Sequence, residues 1–402
     1  VLIYLPALPV KFGIHTDYSL LLKQDKRNFL EFIEARHAVM VGRFIGAWLA
    51  SIQCWFAVTI ASLSLHRIFF FFCFMGINAW LIFFFRRKCR LDLFWSLALT
   101  LMIFFLPGSQ VSILWSSFSV FGCLNLLLSI AVYYFYDHAK ETFSRNAGSI
   151  LKMALAVVLL IAVFFIYPPS ALFIAVLASS RIIFSQPDQW IQTKKSALQD
   201  IGFLILGMIA YFLIDRLIVH PFALSTGRFW EPHQPEYQAG LLNNVFAKIP
   251  LLKEIMTVSL AGGFHPLFGD PSSLLTLGIL AGGMIYLIIQ RRKYVPQPPG
   301  RAGIEKFLLL SALFLLSLAS ILAPQGYLKL TGYRVIHASS ALIVVYLFSL
   351  LIFLTGNANE RLKGMCASLA ALMIFTSAII TAINIRWVVK NASLELSLVQ
   401  SA

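Results

Sequence analysis

The sequence predicts an all-α polytopic membrane protein with about eleven transmembrane helices, and three observations carry that prediction. Hydrophobic residues make up 59% of the 402 and charged residues only 12%, with a mean hydropathy of +0.82; soluble chains carry roughly twice that share of charge. Apolar runs of roughly 20 residues, enough to cross the hydrocarbon core of a bilayer, recur along the chain. Cations fall in alternate connections between those runs, as they do when short cytoplasmic loops collect Lys and Arg. The net charge of +15 is then loop charge that sets orientation and meets anionic lipid headgroups, with no need of nucleic acid.

The chain opens on VLIYLPALPVKFG, which reads as the second half of a first, truncated span. The stretch HTDYSLLLKQDKRNFLEFIEARHAV carries both charge signs and cannot lie in hydrocarbon. The apolar run GRFIGAWLASIQCWFAVTI reads as an interfacial helix, because a span there would put the basic cluster from Arg86 to Arg90 outside. Spans are expected at 68–85, 93–106, 114–136, 150–166, 169–184, 200–220, 272–290, 306–323, 335–355 and 365–385, within one transmembrane domain covering 1–402.

The candidate inner connections hold Arg86, Arg87, Lys88 and Arg90; Lys140 and Arg145; Lys194 and Lys195; Arg291, Arg292, Lys293 and Arg301; and Arg361 and Lys363. The opposite connections LPGSQ and YPPS hold none. This asymmetry predicts a cytoplasmic N-terminus, a periplasmic C-terminus, and two large periplasmic segments: 14–67, with its interfacial helices, and 221–271. Loops of that length are functional or disordered, and their interleaved aromatic and apolar residues favour a structured outer face.

Cys73, Cys123 and Cys366 fall in apolar runs, Cys89 in a basic connection and Cys54 in the interfacial helix, with no CxxC pair. Neither a disulfide framework nor a structural zinc is expected.

Chemistry is expected at the outer surface. Asp17 lies just beyond the first span in HTDY, between His15 and Tyr18. A carboxylate there would accept a proton from an attacking hydroxyl or hold a divalent metal; the competing reading is a cap on the following helix. Arg43 follows Gly42 at the start of the interfacial helix, and Arg334 stands at the outer end of a late span in LTGYRVIHA, with Lys329 nearby. A guanidinium at headgroup depth suits a phosphate, since it stays charged and donates two parallel hydrogen bonds; snorkelling to ordinary lipid is the alternative. His337 lies one turn beyond Arg334, where an ionisable side chain is either functional or a neutral ring bonded to a backbone carbonyl. Glu231 joins the shortlist from the second outer segment. No HExxH or other close histidine spacing is present, and the sequence requires no cofactor.

With HTDY, ARHAVMVGRFIGAWL, IYPPSALF and TGYRVIHA on the page, the layout resembles bacterial GT-C membrane glycosyltransferases, closest to the glucosyltransferases that modify O-antigen. The resemblance covers nearly the whole chain through short motifs. It implies a GT-C-like bundle in the bacterial inner membrane that takes a hexose such as glucose from a polyprenyl-phosphate carrier and moves it, with inversion, to a glycan or lipid-linked glycan acceptor on the periplasmic face. Asp17 would be the catalytic base and Arg43 and Arg334 would bind the carrier phosphate, with His15, Tyr18, Glu231, Lys329 and His337 as further substrate contacts. Two features depart from the family's pattern: a single Asp stands where relatives pair two acids, and LPGSQ lacks an acid. A flippase for lipid-linked sugars, an O-antigen polymerase and an acyltransferase are the alternatives. A flippase is disfavoured because the deep span positions read as nearly free of charge and no repeat is visible.

Overall fold

A computed structural model describes residues 3–4, 7–8, 44–56, 60–114, 120–141, 147–219, 221, 301–318, 337–356 and 360–401. Regular structure among these residues is helical throughout, with no strand. In chain order the helices are α1 (Phe44–Phe56), α2 (Ile60–Arg87), α3 (Leu93–Phe104), α4 (Pro107–Leu114), α5 (Asn125–Glu141), α6 (Ala147–Ile166), α7 (Pro168–Ala171), α8 (Phe173–Ile183), α9 (Trp190–Ile214), α10 (Arg301–Ser317), α11 (His337–Gly356) and α12 (Glu360–Ser401). A π-helical turn, Val120–Leu124, leads into α5, and another, Asp215–Val219, extends α9.

Among the described residues, four stretches are long and apolar enough to cross a membrane: Ser62–Arg87, Gly148–Ile166, Trp190–Val219 and Glu360–Asn391. Taken as one broken span, α3 and α4 add a fifth, with a 69° bend between them. Pro168–Ile183 and His337–Phe353 are shorter apolar helices. At 1.5 Å per residue α1 reaches about 20 Å, short of the roughly 30 Å hydrocarbon core. Of the opening half-span, residues 3–4 and 7–8 are described; Tyr4 is buried, with its ring 5.1 Å from Phe104 and 6.1 Å from Phe71. The expected span at 272–290 lies outside the described residues.

Local chemistry sets the breaks. Arg90 turns the chain out of α2 with φ 56°, a left-handed conformation uncommon for a side-chain-bearing residue. Asp92 then caps α3 by accepting from the Trp95 amide at 2.9 Å. Tyr167 is extended and passes the chain to Pro168 and Pro169 at the start of α7, where a missing N–H costs nothing. The connection LPGSQ, expected as an open outer loop, is largely the first turn of α4, and both Ser109 and Gln110 are buried. Gln110 donates to Phe105 O at 2.9 Å and to Thr381 Oγ1 at 3.1 Å. These bonds occupy groups that lipid could not solvate.

Phe173–Ile183 forms the centre: α8 packs against α5, α9, α10 and α11, and nearly all its side chains are buried. Helices α6 and α9 meet at Gly207, where an added Cβ would stand 2.8 Å from Leu160 Cγ and 3.3 Å from Phe164 Cε2. Gly207→Val should therefore overpack this contact, at about 1–3 kcal/mol, and lower the thermal midpoint of the detergent-solubilised protein. Gly202→Ala, where nothing lies within 4 Å, should leave it level or slightly higher.

Candidate functional site

Two polar clusters stand at opposite ends of the bundle. At the end where α2, α5 and α8 finish and α9 and α10 begin, Asp137 is the hub. Its Oδ2 accepts from Lys88 Nζ at 2.9 Å, and its Oδ1 meets Arg181 Nη1, with Lys140 Nζ at 3.7 Å. Lys140 also binds Asp200 and Ser196 Oγ, the latter at 3.0 Å. Its ammonium lies 4.5 Å from the centre of the Tyr136 ring, which stacks on Phe203. Arg181 donates further to Tyr133 Oη at 3.2 Å.

The same layer continues outward. Arg90 donates to Gln186 Oε1 at 2.7 Å, Lys194 pairs with Glu305 at 2.8 Å, and Lys306 donates to Ile183 O at 2.9 Å. Lys88, Arg90, Lys140 and Lys194, counted in three separate connections of the sequence, therefore meet at one end of the bundle.

Burial alone would raise the Asp137 pKa, but Arg181 first, then Lys88 and Lys140, outweigh it and hold the carboxyl below the usual range. Both Asp137 oxygens are taken, so the group is a poor proton acceptor. The cluster ties together α2, α5, α8 and α9 and has the character of a clamp. Burial pushes the neighbouring Cys89 thiol well up, against the pull of Arg181, so this cysteine stays protonated.

At the other end stands His337, the first residue of α11, with only 4% of its surface exposed. Its Nε2 lies 3.0 Å from Ser109 Oγ. Because Ser109 gives its own hydrogen to Ile103 O at 2.8 Å, the ring must donate through Nε2–H, which leaves the neutral imidazole's acceptor lone pair on Nδ1. The partner is thus a hydroxyl, whereas the neutral-ring reading expected a backbone carbonyl. Phe173 lies 5.8 Å away, centre to centre. Gly108 admits the ring: a Cβ there would be 2.7 Å from His337 Cβ.

Of the residues singled out from sequence, His337 alone is described. His15, Asp17, Tyr18, Arg43, Glu231, Lys329 and Arg334 lie outside the described residues, as do most of segments 14–67 and 221–271. Sequence reasoning missed the buried roles of Ser109, Asp137, Arg181 and Asp200. It also missed Arg67, which is fully buried in α2. The available signals were the i,i+3 pair Asp137–Lys140 and a lone Arg inside an apolar helix. No group of three or more His, Cys, Asp or Glu suited to a metal ion occurs among the described residues. Compared with known proteins, the chain matches no family model, no curated protein and no solved structure.

The direction of the Asp137 shift fixes a pH dependence. A carboxyl with a depressed folded-state pKa contributes stability that is fully present above its unfolded value, about 3.9, and is lost as pH falls through the folded value. Acid unfolding in detergent should therefore begin below about pH 4. Asp137→Asn, which takes the carboxylate from Arg181 and Lys88, should cost about 3–5 kcal/mol at neutral pH and weaken the acid dependence.

Proposed function

We propose that the chain is a bacterial inner-membrane glycosyltransferase of GT-C type with about eleven spans, its clamped basic end in the cytoplasm and its active site on the periplasmic face. It moves a hexose from a polyprenyl-phosphate carrier to a surface glycan or a lipid-linked glycan. The observation that carries the reading is the buried His337–Ser109 pair at the end away from the basic clamp. It holds fixed the helix start that immediately follows Arg334 in TGYRVIHA, the segment where the resemblance puts a phosphate contact.

In the reaction, the acceptor hydroxyl oxygen bonds to the sugar C1 as the bond from C1 to the phosphate oxygen breaks. The hydroxyl proton passes to Asp17, and the electron pair leaves with the phosphate. Phosphate is already a competent leaving group, so Arg43 and Arg334 act by orienting it and holding its charge. Inversion at C1 follows from a single displacement. His15, Tyr18, Glu231, Lys329 and His337 position the two substrates.

The test is Asp17→Asn and Arg334→Ala beside the control Lys293→Ala, scored by modification of the surface glycan at equal protein level. The two site variants should lose modification by about 100-fold or more, while Lys293→Ala keeps it. Full activity in Asp17→Asn removes the base assignment. In reconstituted vesicles, a lipid-linked sugar that crosses while no acceptor is glycosylated would replace the transferase with a flippase.

A further inference from the structure

One residue at the cationic end holds a backbone conformation that its side chain makes costly. Arg90, with φ 56°, is the one residue other than glycine at positive φ among the described residues. It closes α2: Leu91 N donates to Phe85 O at 3.1 Å, the long bond by which a helix ends around a left-handed residue, where glycine or asparagine is usual. A Cβ there strains the chain, and such strain persists where neighbouring contacts hold it. The contact that holds Arg90 is made by its guanidinium, whose Nη1 donates to Gln186 Oε1 at 2.7 Å in the connection between α8 and α9.

Gln186 is neutral, so this bond fixes the Arg90 side chain without cancelling its charge. A guanidinium carries several N–H donors, and Gln186 takes only one. The neighbouring cations are committed to carboxylates: Lys88 and Arg181 to Asp137, Lys140 to Asp200 and Lys194 to Glu305. Among the described residues no carboxylate pairs with Arg90, since Asp92, two residues on, caps α3 instead. Arg90 is therefore an exposed cation, held in place, with donors to spare.

The two helices joined by this turn set its depth. Phe83 on α2 exposes 56% of its surface, and Leu93 and Phe94 at the start of α3 expose 51% and 42%. Phe83 belongs to the stretch Ser62–Arg87, which is apolar enough to cross a membrane. Arg87 lies back over the Phe83 ring, 5.3 Å from its centre, as a cation does where apolar surface gives way to the headgroup layer. Three residues further on, Arg90 stands at headgroup depth.

We propose that Arg90 is the centre of a binding site for the phosphodiester of an anionic glycerophospholipid, in the leaflet that meets this end of the bundle. Two parallel N–H donors of the fixed fork match two phosphate oxygens, with Arg87 beside them and the acyl chains against Phe83 and Phe94. The pull of a cationic end on anionic lipid is otherwise diffuse. A guanidinium already pinned to Gln186 loses little freedom on binding, which makes this one place selective. The site stands apart from the transferase reading, at the end opposite His337 and Ser109.

The experiment offers the full chain, in detergent, equimolar phosphatidylglycerol and phosphatidylcholine with the same acyl chains, and counts the retained lipids by native mass spectrometry. The native chain should retain phosphatidylglycerol preferentially. Arg90→Gly, which suits the left-handed turn but removes the guanidinium, should lower that preference roughly fivefold. Lys195→Ala, which removes another exposed cation from the same end, should keep it. The proposal is overturned if the native chain retains both lipids equally, or if the two variants lower the preference alike, the mark of diffuse attraction. It is also overturned if soluble glycerol 3-phosphate clears the lipid with the same dependence on Arg90, which would make this a site for a free phosphate ester. Should Arg90→Gly fail to accumulate, amide exchange in the native chain decides: phosphatidylglycerol, and not phosphatidylcholine, should slow exchange across 86–92, and equal exchange with the two lipids overturns the proposal. Loss of transferase activity in the Asp17 variant would move neither readout.

Discussion

A carboxylate with 4% of its surface exposed, Asp137, imposes a condition on the whole cationic end: it must be met by cations from other elements or the bundle does not form. Lys88 comes from the end of α2, Arg181 from α8 and Lys140 from its own helix. Lys140 carries the requirement on to Asp200 of α9. An uncompensated buried charge costs several kcal/mol, more than the roughly 1.5–3 kcal/mol gained by burying one large apolar side chain. Packing among the many Phe and Leu contacts therefore supplies cohesion but tolerates sliding. The ionic cluster supplies little net stability and does not tolerate sliding, so it fixes which helix ends are level.

The opposite end solves a different problem, with chain breaks instead of charge. Where α3 ends, the chain bends into α4, and donors at the bend are taken up internally: the Ser109 hydroxyl by Ile103 O, the His337 ring N–H by Ser109 Oγ, and the Gln110 amide NH2 by Phe105 O and Thr381 Oγ1. At the Tyr167–Pro168 break, Asn125 donates to Tyr167 O at 2.8 Å and Ser129 to Ser170 O at 3.1 Å. Non-helical backbone at membrane depth survives when protein shields it in this way. Gly108 belongs to the same solution, since any side chain there would force α4 off the His337 ring.

The helical class was legible because lipid selects long apolar runs, and α2, α6, α9 and α12 carry that signal without ambiguity. The gathering of Lys88, Arg90, Lys140 and Lys194 at one end was legible too, because charge in short connections is a local property of sequence. Buried charge was not. Lys140 counted as one more loop cation, yet its side chain is 9% exposed and bridges two carboxylates. Arg67 sat at the edge of an apolar run and is fully buried. LPGSQ looked like a turn from its Pro and Gly, but hydropathy cannot tell a solvated turn from a bent helix whose polar groups have internal partners.

A constraint on where chemistry can sit follows from the carboxylates. A general base needs a lone pair that no cation already holds. Among the described residues Asp92 caps a helix, Asp137 and Asp200 belong to the clamp, Glu305 pairs with Lys194 and Glu360 with Lys363, while Asp188 is exposed. Eight of the chain's 17 acidic residues lie instead in 14–67 and 221–271: Asp17, Asp25, Glu31, Glu34, Glu231, Glu236, Glu254 and Asp270. The clamp also excludes its own end as a reaction centre, because removing a proton acceptor from that cluster would leave a guanidinium stranded at low dielectric. The buried carboxylates among the described residues, Asp137 and Asp200, serve to align helix ends.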